Sequence, residues 1–438
     1  MSVGITQTGK NGPTATPART GSLRITFITI SFDPEPGNQH GLPFARWLTA
    51  RGHKVKVLTT FPQYPHGRVY PEYTVRPWQW ETMDGVPVLR VPMYPSHDQS
   101  GLRRALTYGT FMASATLIGA PLVGGCDVVF LFEPPTNAIT ALALKHLHGA
   151  PIVYHIPDIW PDSVVDSGLL GAGYVQRFAR ASLGAYCSWT YRESDFISVL
   201  SPGFKRLLVE RGVPSEKVSV VYNWADEKLF HPVERDEGLA RELGIAGKFT
   251  FMYAGNLGPL QDVETLVAAA ARLRDVPGLQ LAIIGTGPRE QSVRAAVQSL
   301  GATNVVLVPR RPYTEMTKIH ALADVLLVHL QDSPLMRVTI PSKTQVAMAS
   351  GRPILIAVNG DAADLIGTAG CGAHAQPQDP ASIAEAMLTM FRMPRAELEM
   401  MGRRGRSFYE QQLSLDVSGT RIEQLFAQAA ARRHGSVG

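Results

Sequence analysis

The segment from residue 341 to residue 360, PSKTQVAMASGRPILIAVNG, predicts a helix followed by a buried strand. Helix-forming residues follow Pro341 directly, and a β-branched run stands between Gly-Arg-Pro and Asn-Gly. Ser342 and Lys343 would lie in the first helical turn, where free N–H groups and partial positive charge favour an anion. The segment therefore predicts a phosphate site at the start of a helix.

Strands and helices alternate on both sides of this segment. Such alternation predicts parallel sheets with helices on both faces, an α/β fold whose ligands bind at the carboxyl edge of each sheet. The predicted strands are residues 23–30, 54–59, 87–91, 127–132, 151–156, 195–200 and 217–222 in the first half, and residues 249–255, 279–285, 304–308, 324–330, 353–358 and 372–375 in the second.

A length of 438 residues with 45% hydrophobic content indicates two domains. We predict two Rossmann-like, doubly wound domains that face a central cleft, with C-terminal helices crossing back to brace the first. The predicted parts are a flexible tail at 1–21, an N-terminal domain at 22–225, a linker at 226–248, a C-terminal domain at 249–394, and helices with a tail at 395–438.

The amino-acid composition limits which cellular compartment and which classes of binding partner are expected. The three cysteines, Cys126, Cys187 and Cys371, are far apart, which suits a reducing compartment and predicts neither a disulfide framework nor a zinc site. No apolar core occupies the first twenty residues, so we expect a cytoplasmic protein. The net charge of +5 is spread along the chain, which gives no sign of nucleic-acid binding and suits phosphorylated substrates or an anionic membrane surface.

Residues 102–124 form a long apolar stretch whose only charges are Arg103 and Arg104. Glycine, serine, threonine and proline dilute it, so we interpret it as a domain helix rather than a membrane span. Peripheral contact with the inner face of a membrane stays open as an alternative.

Three glycine-rich turns follow predicted strands or precede predicted helices. Gly255 to Gly258 would let the backbone approach a diphosphate, although a simple strand-to-helix turn explains these glycines equally well. Gly285 to Pro288 is a weak dinucleotide fingerprint, which we interpret as a structural turn that lines the cleft. The loop from Gly37 to Gly41 could close over a bound phosphate, or could be an ordinary loop.

Polar and aromatic side chains follow the strand at 151–156, in the sequence YHIPDIWPD from residue 154. His155 or Asp158 could serve as a general base or could anchor sugar hydroxyls, and a buried structural histidine is the alternative. Metal-ligand spacing is absent among the histidines and acidic residues, so we predict no bound metal.

These motifs, taken in order, resemble the retaining glycosyltransferases of family four, in particular the branch that builds bacterial cell-surface polysaccharides. The resemblance covers roughly residues 23–392. It rests on FPQYPHG from residue 61, DIWPDS from 158, VYNWAD from 221, AGNLG from 254 with Gln261, IPSK from 340, and GRP from 351.

The resemblance implies a glycosyltransferase-B fold that binds a nucleotide diphosphate-sugar in the second domain and an acceptor in the first. The backbone around residues 308–311 would frame the base, and a cationic side chain with a helix dipole would stabilise the leaving diphosphate without a metal or cofactor. The predicted catalytic residues are His155, Asp158 and Lys343, and the predicted donor-binding or phosphate-binding residues are Gly37, Gly255, Asn256, Gly258, Gln261, Gly287, Arg310, Pro341, Ser342 and Gln345.

The chain departs from the family pattern at two positions. Many members have glutamates eight positions apart that contact the donor sugar and the ribose, and Val338 and Val346 stand at those places here. Because valine accepts no hydrogen bond, Gln345 or Thr344 would have to replace the ribose contact.

By resemblance, we predict an enzyme that moves a hexosyl or N-acetylhexosaminyl group with retention from a donor, UDP-linked as first choice. The acceptor would be lipid-linked or an oligosaccharide, and no nucleic acid is expected as a partner. Two alternatives remain open, a nucleotide-sugar 2-epimerase on the same fold and a non-catalytic nucleotide-sugar-binding protein.

Overall fold

The computed structural model describes residues 21–36, 40–96, 100–132, 134–166 and 174–435, and it contains two sheets covered by helices on both faces. The predicted α/β architecture with two Rossmann-like halves is confirmed. The first sheet has the strand order β3-β4-β2-β1-β5-β6-β7-β8. Its strands are β1 (Arg24–Ile28), β2 (Lys54–Thr60), β3 (Gln79–Met83), β4 (Val86–Val91), β5 (Val128–Phe132), β6 (Ile152–Ile156), β7 (Phe196–Val199) and β8 (Val218–Val220).

The second sheet has the order β11-β10-β9-β12-β13-β14, and its pairs are parallel. Strand order reverses beside β9, which opens a crevice at the carboxyl ends of β9 and β12. The strands are β9 (Phe249–Ala254), β10 (Leu279–Ile284), β11 (Val305–Val308), β12 (Val325–His329), β13 (Ile354–Ala357) and β14 (Gly372–His374).

Helices connect these strands and cover the sheets. In the first half they are α1 (Leu42–Ala50), α2 (Gly101–Ser114), α3 (Ala120–Val123), α4 (Ala138–His148), α5 (Asp162–Asp166), α6 (Tyr174–Glu193) and α7 (Pro202–Glu210). In the second half they are α8 (Glu237–Glu242), α9 (Val263–Ala271), α10 (Glu290–Ser299), α11 (Met316–Ala321), α12 (Pro334–Val338), α13 (Ser342–Ala349), α14 (Asp361–Ala369), α15 (Pro380–Arg392), α16 (Arg395–Gln412) and α17 (Leu415–Gly435).

The segment at 341–360 folds as predicted, with α13 followed by β13. Pro341 is the N-cap of α13, and its fixed φ of −63° suits that position. Gly351, with a φ of +66°, lets the chain turn after the helix, and every residue of β13 is buried. Ser342 and Lys343, at the start of α13, line the same cavity as Gly255 and Gly285 at the carboxyl ends of β9 and β10.

Two details differ from the sequence interpretation. The antiparallel edge strand β3 was not predicted, because its side chains alternate between partly buried and exposed without a strong apolar run. The polar stretch at 226–248 includes the short helix α8, whose N-cap Asp236 accepts hydrogen bonds from the backbone of Gly238 and Leu239.

The C-terminal helix α17 packs against the first sheet, as expected. Indole Nε1 of Trp47 donates to Asp416 at 2.6 Å, and Arg51 pairs with Glu423 at 2.7 Å. The ring of Phe426 lies edge-on to Phe130, with the two centroids 5.3 Å apart. The end of the chain thus stabilises the half in which the chain begins.

Arg90, on β4, is fully buried and holds two loops of the first half together. Its guanidinium donates to Glu81 at 2.5 Å, to the Thr60 carbonyl at 2.7 Å and to the Asp33 carbonyl at 2.6 Å. Its Cζ also lies 5.0 Å from the ring centroid of Tyr73. Because these acceptors come from separate segments, one side chain links β2, β3 and the loop after β1.

We expect Arg90→Met to lower the free energy of unfolding by about 3–5 kcal/mol, since it leaves the Glu81 carboxylate and two carbonyls without their donor. Denaturant unfolding measures this cost. The matched control is Arg24→Met, which removes a largely exposed pair with Asp127 and should cost about 1 kcal/mol or less. Equal losses in the two variants would contradict the structural role assigned to Arg90.

Candidate active site

A cavity of about 820 Å³ opens at the carboxyl edge of the second sheet, where strand order reverses. This volume lies in the range that holds drug-sized ligands and nucleotides. Tyr64, in the loop after β2, reaches it from the first half. The other lining residues are Phe230, Met252, Ala254, Gly255, Asn256, Ile284, Gly285, Thr286, Gly287, Pro288, Arg310, Arg311, Tyr313, Met316, His320, Leu326, Leu327, Val328, Ser342, Lys343, Val346 and Ala347.

At one end of the cavity, two glycine turns meet the start of α13. A Cβ atom added to Gly255 would lie 2.5 Å from Cε of Lys343, and one added to Gly285 would lie 1.9 Å from the Gly255 carbonyl oxygen. A Cβ on Gly287 would similarly lie 2.5 Å from the Leu257 carbonyl oxygen. Only glycine allows this close approach, which exposes backbone to a ligand beside a lysine.

Lys343 provides the positive charge at the end of the cavity where the glycine turns meet α13. Its Nζ lies 4.8 Å from the ring centroid of Tyr253, a cation–π distance. Burial lowers the pKa of Lys343 to about 8, and no carboxylate in the described part of the chain offsets that cost. The side chain is therefore held, mostly charged at pH 7, at a helix start whose free N–H groups also favour an anion.

The other end of the cavity is aromatic. The rings of Phe230 and Tyr313 meet edge-to-face with centroids 5.6 Å apart, and His320 stacks on Phe230 at 5.5 Å. Arg310 and Arg311 follow β11 beside them, and Arg311 pairs with Glu315 at 2.9 Å. A flat, apolar base fits this end, while a diphosphate fits the end at Lys343.

The structure brings six of the thirteen predicted site residues together. Those that line the cavity are Gly255, Asn256, Gly287, Arg310, Ser342 and Lys343. Gly258, Gln261 and Pro341 support its walls instead, and Gly37 lies outside the described residues. His155, Asp158 and Gln345 do not line the cavity.

His155 lies inside the first half and not at the cleft, where the sequence pattern predicts a general base or a sugar anchor. It is 0% exposed, its Nδ1 lies 2.8 Å from the Ser198 hydroxyl, and its ring stacks on Phe132. His40 packs 5.0 Å away. Burial lowers the pKa of both imidazoles, to about 3 for His40. This placement supports the structural alternative for His155 rather than contact with a substrate.

The buried pair predicts sensitivity to acid. Both imidazoles have pKa values in the folded protein below the unfolded value of about 6.5, so the unfolded chain binds more protons below that pH. The free energy of unfolding should fall by about 2–3 kcal/mol between pH 7.5 and pH 5.5 from this pair. His155→Asn should remove about half of that dependence. An unaltered pH profile in His155→Asn would contradict the assignment.

Asp158 follows β6 at the carboxyl edge of the first sheet. Its side chain is exposed to solvent, yet surrounding protein desolvates the carboxyl and raises its pKa. A carboxyl with a raised pKa can hold or accept a proton more readily than a fully solvated one.

Among the described residues, no group of three or more His, Cys, Asp or Glu side chains is arranged to hold a metal ion.

Gln345 does not take the place of the family glutamate. It is 2% exposed, and its amide nitrogen, oriented to satisfy its neighbours, donates to the carbonyls of Pro341 at 2.7 Å and Ser342 at 3.1 Å. Thr344 is likewise buried. Val346 lines the cavity, so an apolar surface replaces a ribose contact at that position. The prediction that Gln345 binds the donor is therefore not supported by its placement.

Val338, at the other departure from the family pattern, lies at the contact between the two halves. Its carbonyl accepts a hydrogen bond from the Ser201 hydroxyl at 2.5 Å, and a Cβ on Gly203 would lie 2.5 Å from Cγ1 of Val338. The Gly203 N–H donates to Asp361, which also pairs with Arg206 at 2.9 Å. The start of α7 is thus held against α12 and α14.

Several residues that line the cavity were not predicted from the sequence, because they lie outside the glycine turns and the start of α13. Tyr64 lies in the FPQYPHG motif, where the backbone N–H groups of Gln63 and Tyr64 donate to Glu35 at 2.6 and 2.8 Å. That motif after a strand was the available signal. No sequence motif marks Phe230, Tyr313 or Met316, because apolar and aromatic residues of this kind are common in any protein core.

Two family models match the two halves of the chain. Residues 39–224 match the model described as a glycosyl transferase 4-like domain, and residues 236–408 match the one described as glycosyl transferases group 1. Together the matches span most of the chain, and the short gap between them, residues 225–235, lies between the two sheets. Both the order of the domains and their location therefore agree with the architecture described above.

Individual proteins show the same likeness. A putative colanic acid biosynthesis glycosyl transferase, WcaI of Escherichia coli K12, is 29% identical over 76% of this chain and 83% of its own length. A probable glycosyltransferase, WbjE of Pseudomonas aeruginosa, is 27% identical over 58% of this chain and 62% of its own.

Among solved structures, Anabaena Alr3699/HepE in complex with UDP-glucose shares the fold. Its TM-score is 0.68 at 16% sequence identity, over 93% of this chain and 100% of the other. With two parallel-sheet domains, matched models in both halves and glycosyltransferase-B neighbours, this chain belongs to the glycosyltransferases of family four.

Proposed function

We propose that this protein transfers a sugar, with retention of configuration, from a UDP-linked donor to a lipid-linked or oligosaccharide acceptor in the assembly of a cell-surface polysaccharide. The observation that carries the proposal is the cavity with Lys343 and two close glycine turns at one end and aromatic rings at the other. The name of the relative WcaI refers to colanic acid biosynthesis, WbjE is named as a probable glycosyltransferase, and the Anabaena structure was solved in complex with UDP-glucose.

The proposed reaction breaks the bond between the anomeric carbon of the sugar and the diphosphate oxygen. Negative charge then grows on the diphosphate, where Lys343 and the first turn of α13 would stabilise it. Because the product keeps the anomeric configuration, the acceptor hydroxyl would bond to the anomeric carbon on the face from which the diphosphate leaves, and would lose its proton. Asp158, at the edge of the first sheet, is our candidate for a polar anchor or proton acceptor on that side.

The alternatives make different demands on the site. A 2-epimerase would need acid and base side chains at the sugar and no acceptor, while a non-catalytic protein would bind the donor without transfer. The comparisons favour a transferase over both, because each half of the chain matches a glycosyltransferase model. Location in the cytoplasm is part of the proposal, since nucleotide sugars would be the donors.

A ligand screen followed by a transfer assay tests this function. UDP and UDP-sugars should raise the thermal unfolding midpoint more than UMP, ADP or GDP, and a ligand at about 100 times its Kd should add about 2.7 kcal/mol. Transfer to a polyprenyl-diphosphate-linked sugar, with the anomeric configuration read by NMR, then tests retention. Isomerised sugar in a donor-only incubation would favour the epimerase, and stabilisation without transfer to any acceptor would favour the binding protein.

A further inference from the structure

The cavity at the carboxyl edge of the second sheet has no carboxylate among the described residues that line it. Each of its side chains is apolar, aromatic, neutral and polar, or cationic. The cations are Arg310, Arg311 and Lys343. Lysine and arginine only donate hydrogen bonds, so these three side chains cannot accept the proton of a ligand hydroxyl.

Helix α13 runs from the phosphate end of the cavity, at Lys343 and the glycine turns, toward the aromatic end. Ser350 is the C-cap of this helix, and its hydroxyl oxygen lies 3.4 Å from Nδ1 of His320. His320 in turn stacks on Phe230. The axis of α13 therefore connects the two ends of the cavity.

Val346 lies between these two ends. It follows Lys343 by three residues, so the two side chains share one face of the helix, and both line the cavity. Three residues of helix advance by about 4.5 Å. In a nucleoside diphosphate the pentose separates the diphosphate from the base. A ligand with its diphosphate at Lys343 and its base at the aromatic rings therefore has its pentose beside Val346.

The wall of the cavity around Val346 is apolar. Met252, Leu326 and Ala347 belong to one buried hydrophobic cluster, and Val346 and Met316 pack against it. None of these side chains except the weakly accepting sulfurs can take a hydrogen bond. A pentose hydroxyl that faces this wall would lose water without gaining a good partner, whereas a pentose without that hydroxyl avoids the cost.

The polar groups of the glycine turns are largely occupied. The Ile284 carbonyl accepts a hydrogen bond from the Gly255 N–H at 2.9 Å, and the Thr286 carbonyl accepts one from the Leu257 N–H at 3.0 Å. The Thr286 hydroxyl donates to Glu290 at 2.7 Å. These groups also lie at the phosphate end, so they are poorly placed to read a pentose hydroxyl beside α13.

We propose that the donor site does not discriminate against a 2′-deoxypentose, and that Val346 determines this tolerance. The site would then take deoxythymidine diphosphate-linked sugars as donors alongside uridine diphosphate-linked ones. The apolar end formed by Phe230, Tyr313 and Met316 also suits the 5-methyl group of thymine. This inference rests on the proposed function, because it places a pyrimidine nucleoside diphosphate in this cavity.

Calorimetric titration of the full chain with UDP, 2′-deoxy-UDP and deoxythymidine diphosphate tests the proposal. UDP and deoxy-UDP differ only in the 2′-hydroxyl, and the two deoxynucleotides differ only in the 5-methyl group, so each comparison isolates one group. The Kd values of UDP and deoxy-UDP should agree within about threefold, since no acceptor is built to bind the hydroxyl. Deoxythymidine diphosphate should bind at least as tightly as deoxy-UDP.

Val346→Glu introduces the missing acceptor. The Kd of deoxy-UDP should then exceed that of UDP by about tenfold or more, because a carboxylate hydrogen-bonds the 2′-hydroxyl that only UDP has. The new carboxylate also stands one turn from Lys343 and should weaken both nucleotides, an effect that cancels in their ratio. Val346→Gln supplies a neutral acceptor, should raise the ratio by about threefold to fivefold, and keeps the test in force if the glutamate variant does not fold.

The matched control is Val209→Glu, because Val209 lies on α7, is 38% exposed and does not line the cavity. It should leave the ratio of the two Kd values at the wild-type figure. Wild-type protein that binds UDP at least about tenfold more tightly than deoxy-UDP would overturn the inference and leave the proposed function intact. An unchanged ratio in Val346 variants that still bind UDP would overturn the role of Val346. Binding of none of the three nucleotides would remove the proposed function, and this inference with it.

Discussion

Replacing Lys343 by methionine is expected to lower kcat/KM for sugar transfer by at least about 10²-fold, because the leaving diphosphate loses a preorganised cation in a partly desolvated site. The same change should make the unliganded protein more stable. Burial lowers the pKa of Lys343 to about 8, so the folded protein bears a cost for the charged form at pH 7. Removing that charge should raise the free energy of unfolding by about 1–3 kcal/mol.

The sign of the pH dependence follows from the same lysine. Its folded pKa lies below the ordinary value of 10.5, so the cost is present at pH 7 and is relieved as pH rises from about 8 to 10.5. Wild-type stability should therefore gain in that window relative to Lys343→Met. Donor affinity should move the opposite way and weaken about tenfold per pH unit above pH 8, as the free lysine loses its proton.

Calorimetric titration with UDP-glucose and denaturant unfolding, each over pH 7–10, measure both effects. Lys318→Met is the matched control, because Lys318 is exposed in the same half of the chain and does not line the cavity. It should change neither affinity nor stability by much. Near-wild-type transfer by Lys343→Met would remove the basis for the assigned phosphate end of the cavity.

Gly285→Ala adds one methyl group, and we expect it to disrupt the proposed donor site severely. At a φ of +150° an added Cβ would lie 1.9 Å from the carbonyl oxygen and 2.9 Å from the carbonyl carbon of Gly255, both backbone atoms that cannot rotate away. The ends of β9 and β10 would have to separate, and Gly255 is the residue that contacts Lys343. We expect a loss of about 3 kcal/mol or more in stability and of at least about 10²-fold in affinity for UDP-glucose.

A glycine at the other end of β10 provides the control variant. Gly278 precedes β10 with a φ of +80°, and a Cβ there would meet nothing within 4 Å. Gly278→Ala therefore tests backbone strain without the clash and should cost about 1 kcal/mol. Unfolding curves and UDP-glucose titrations of both variants separate the two effects. Similar behaviour of the two variants would show that the turns at Gly255 and Gly285 are not packed as described.

Local sequence patterns determined most of the fold. The sequence pattern predicted all six strands of the second sheet and seven of the eight in the first. The central strands, such as β5, β6, β10 and β12, are buried along their whole length, and a strand buried on both faces needs a continuous apolar run. The pattern missed β3, an edge strand whose pairing partner β4 determines it more than its own residues do. Proline at residue 341 and glycine at residue 351 similarly predicted the bounds of α13, since their backbone preferences are local.

The proximity of the glycine turns and the lysine at one end of the cavity was also predictable from sequence. Glycine turns after strands and a lysine in a first helical turn are short-range signals, and topology guarantees that the carboxyl ends of parallel strands meet at one edge. Gly255, Gly287 and Lys343 accordingly lie together.

Features that depend on contacts between distant segments were decided only by the tertiary structure. It buried His155 and Gln345, brought Tyr64 to the cavity, and placed Val338 at the contact between the halves. It also showed that the apolar segment at 101–123 turns one face to the core and leaves leucines on the other. Sequence spacing states which residues share a helix face or follow a strand, but burial depends on which distant segments cover that face, and this is settled only when the whole chain folds.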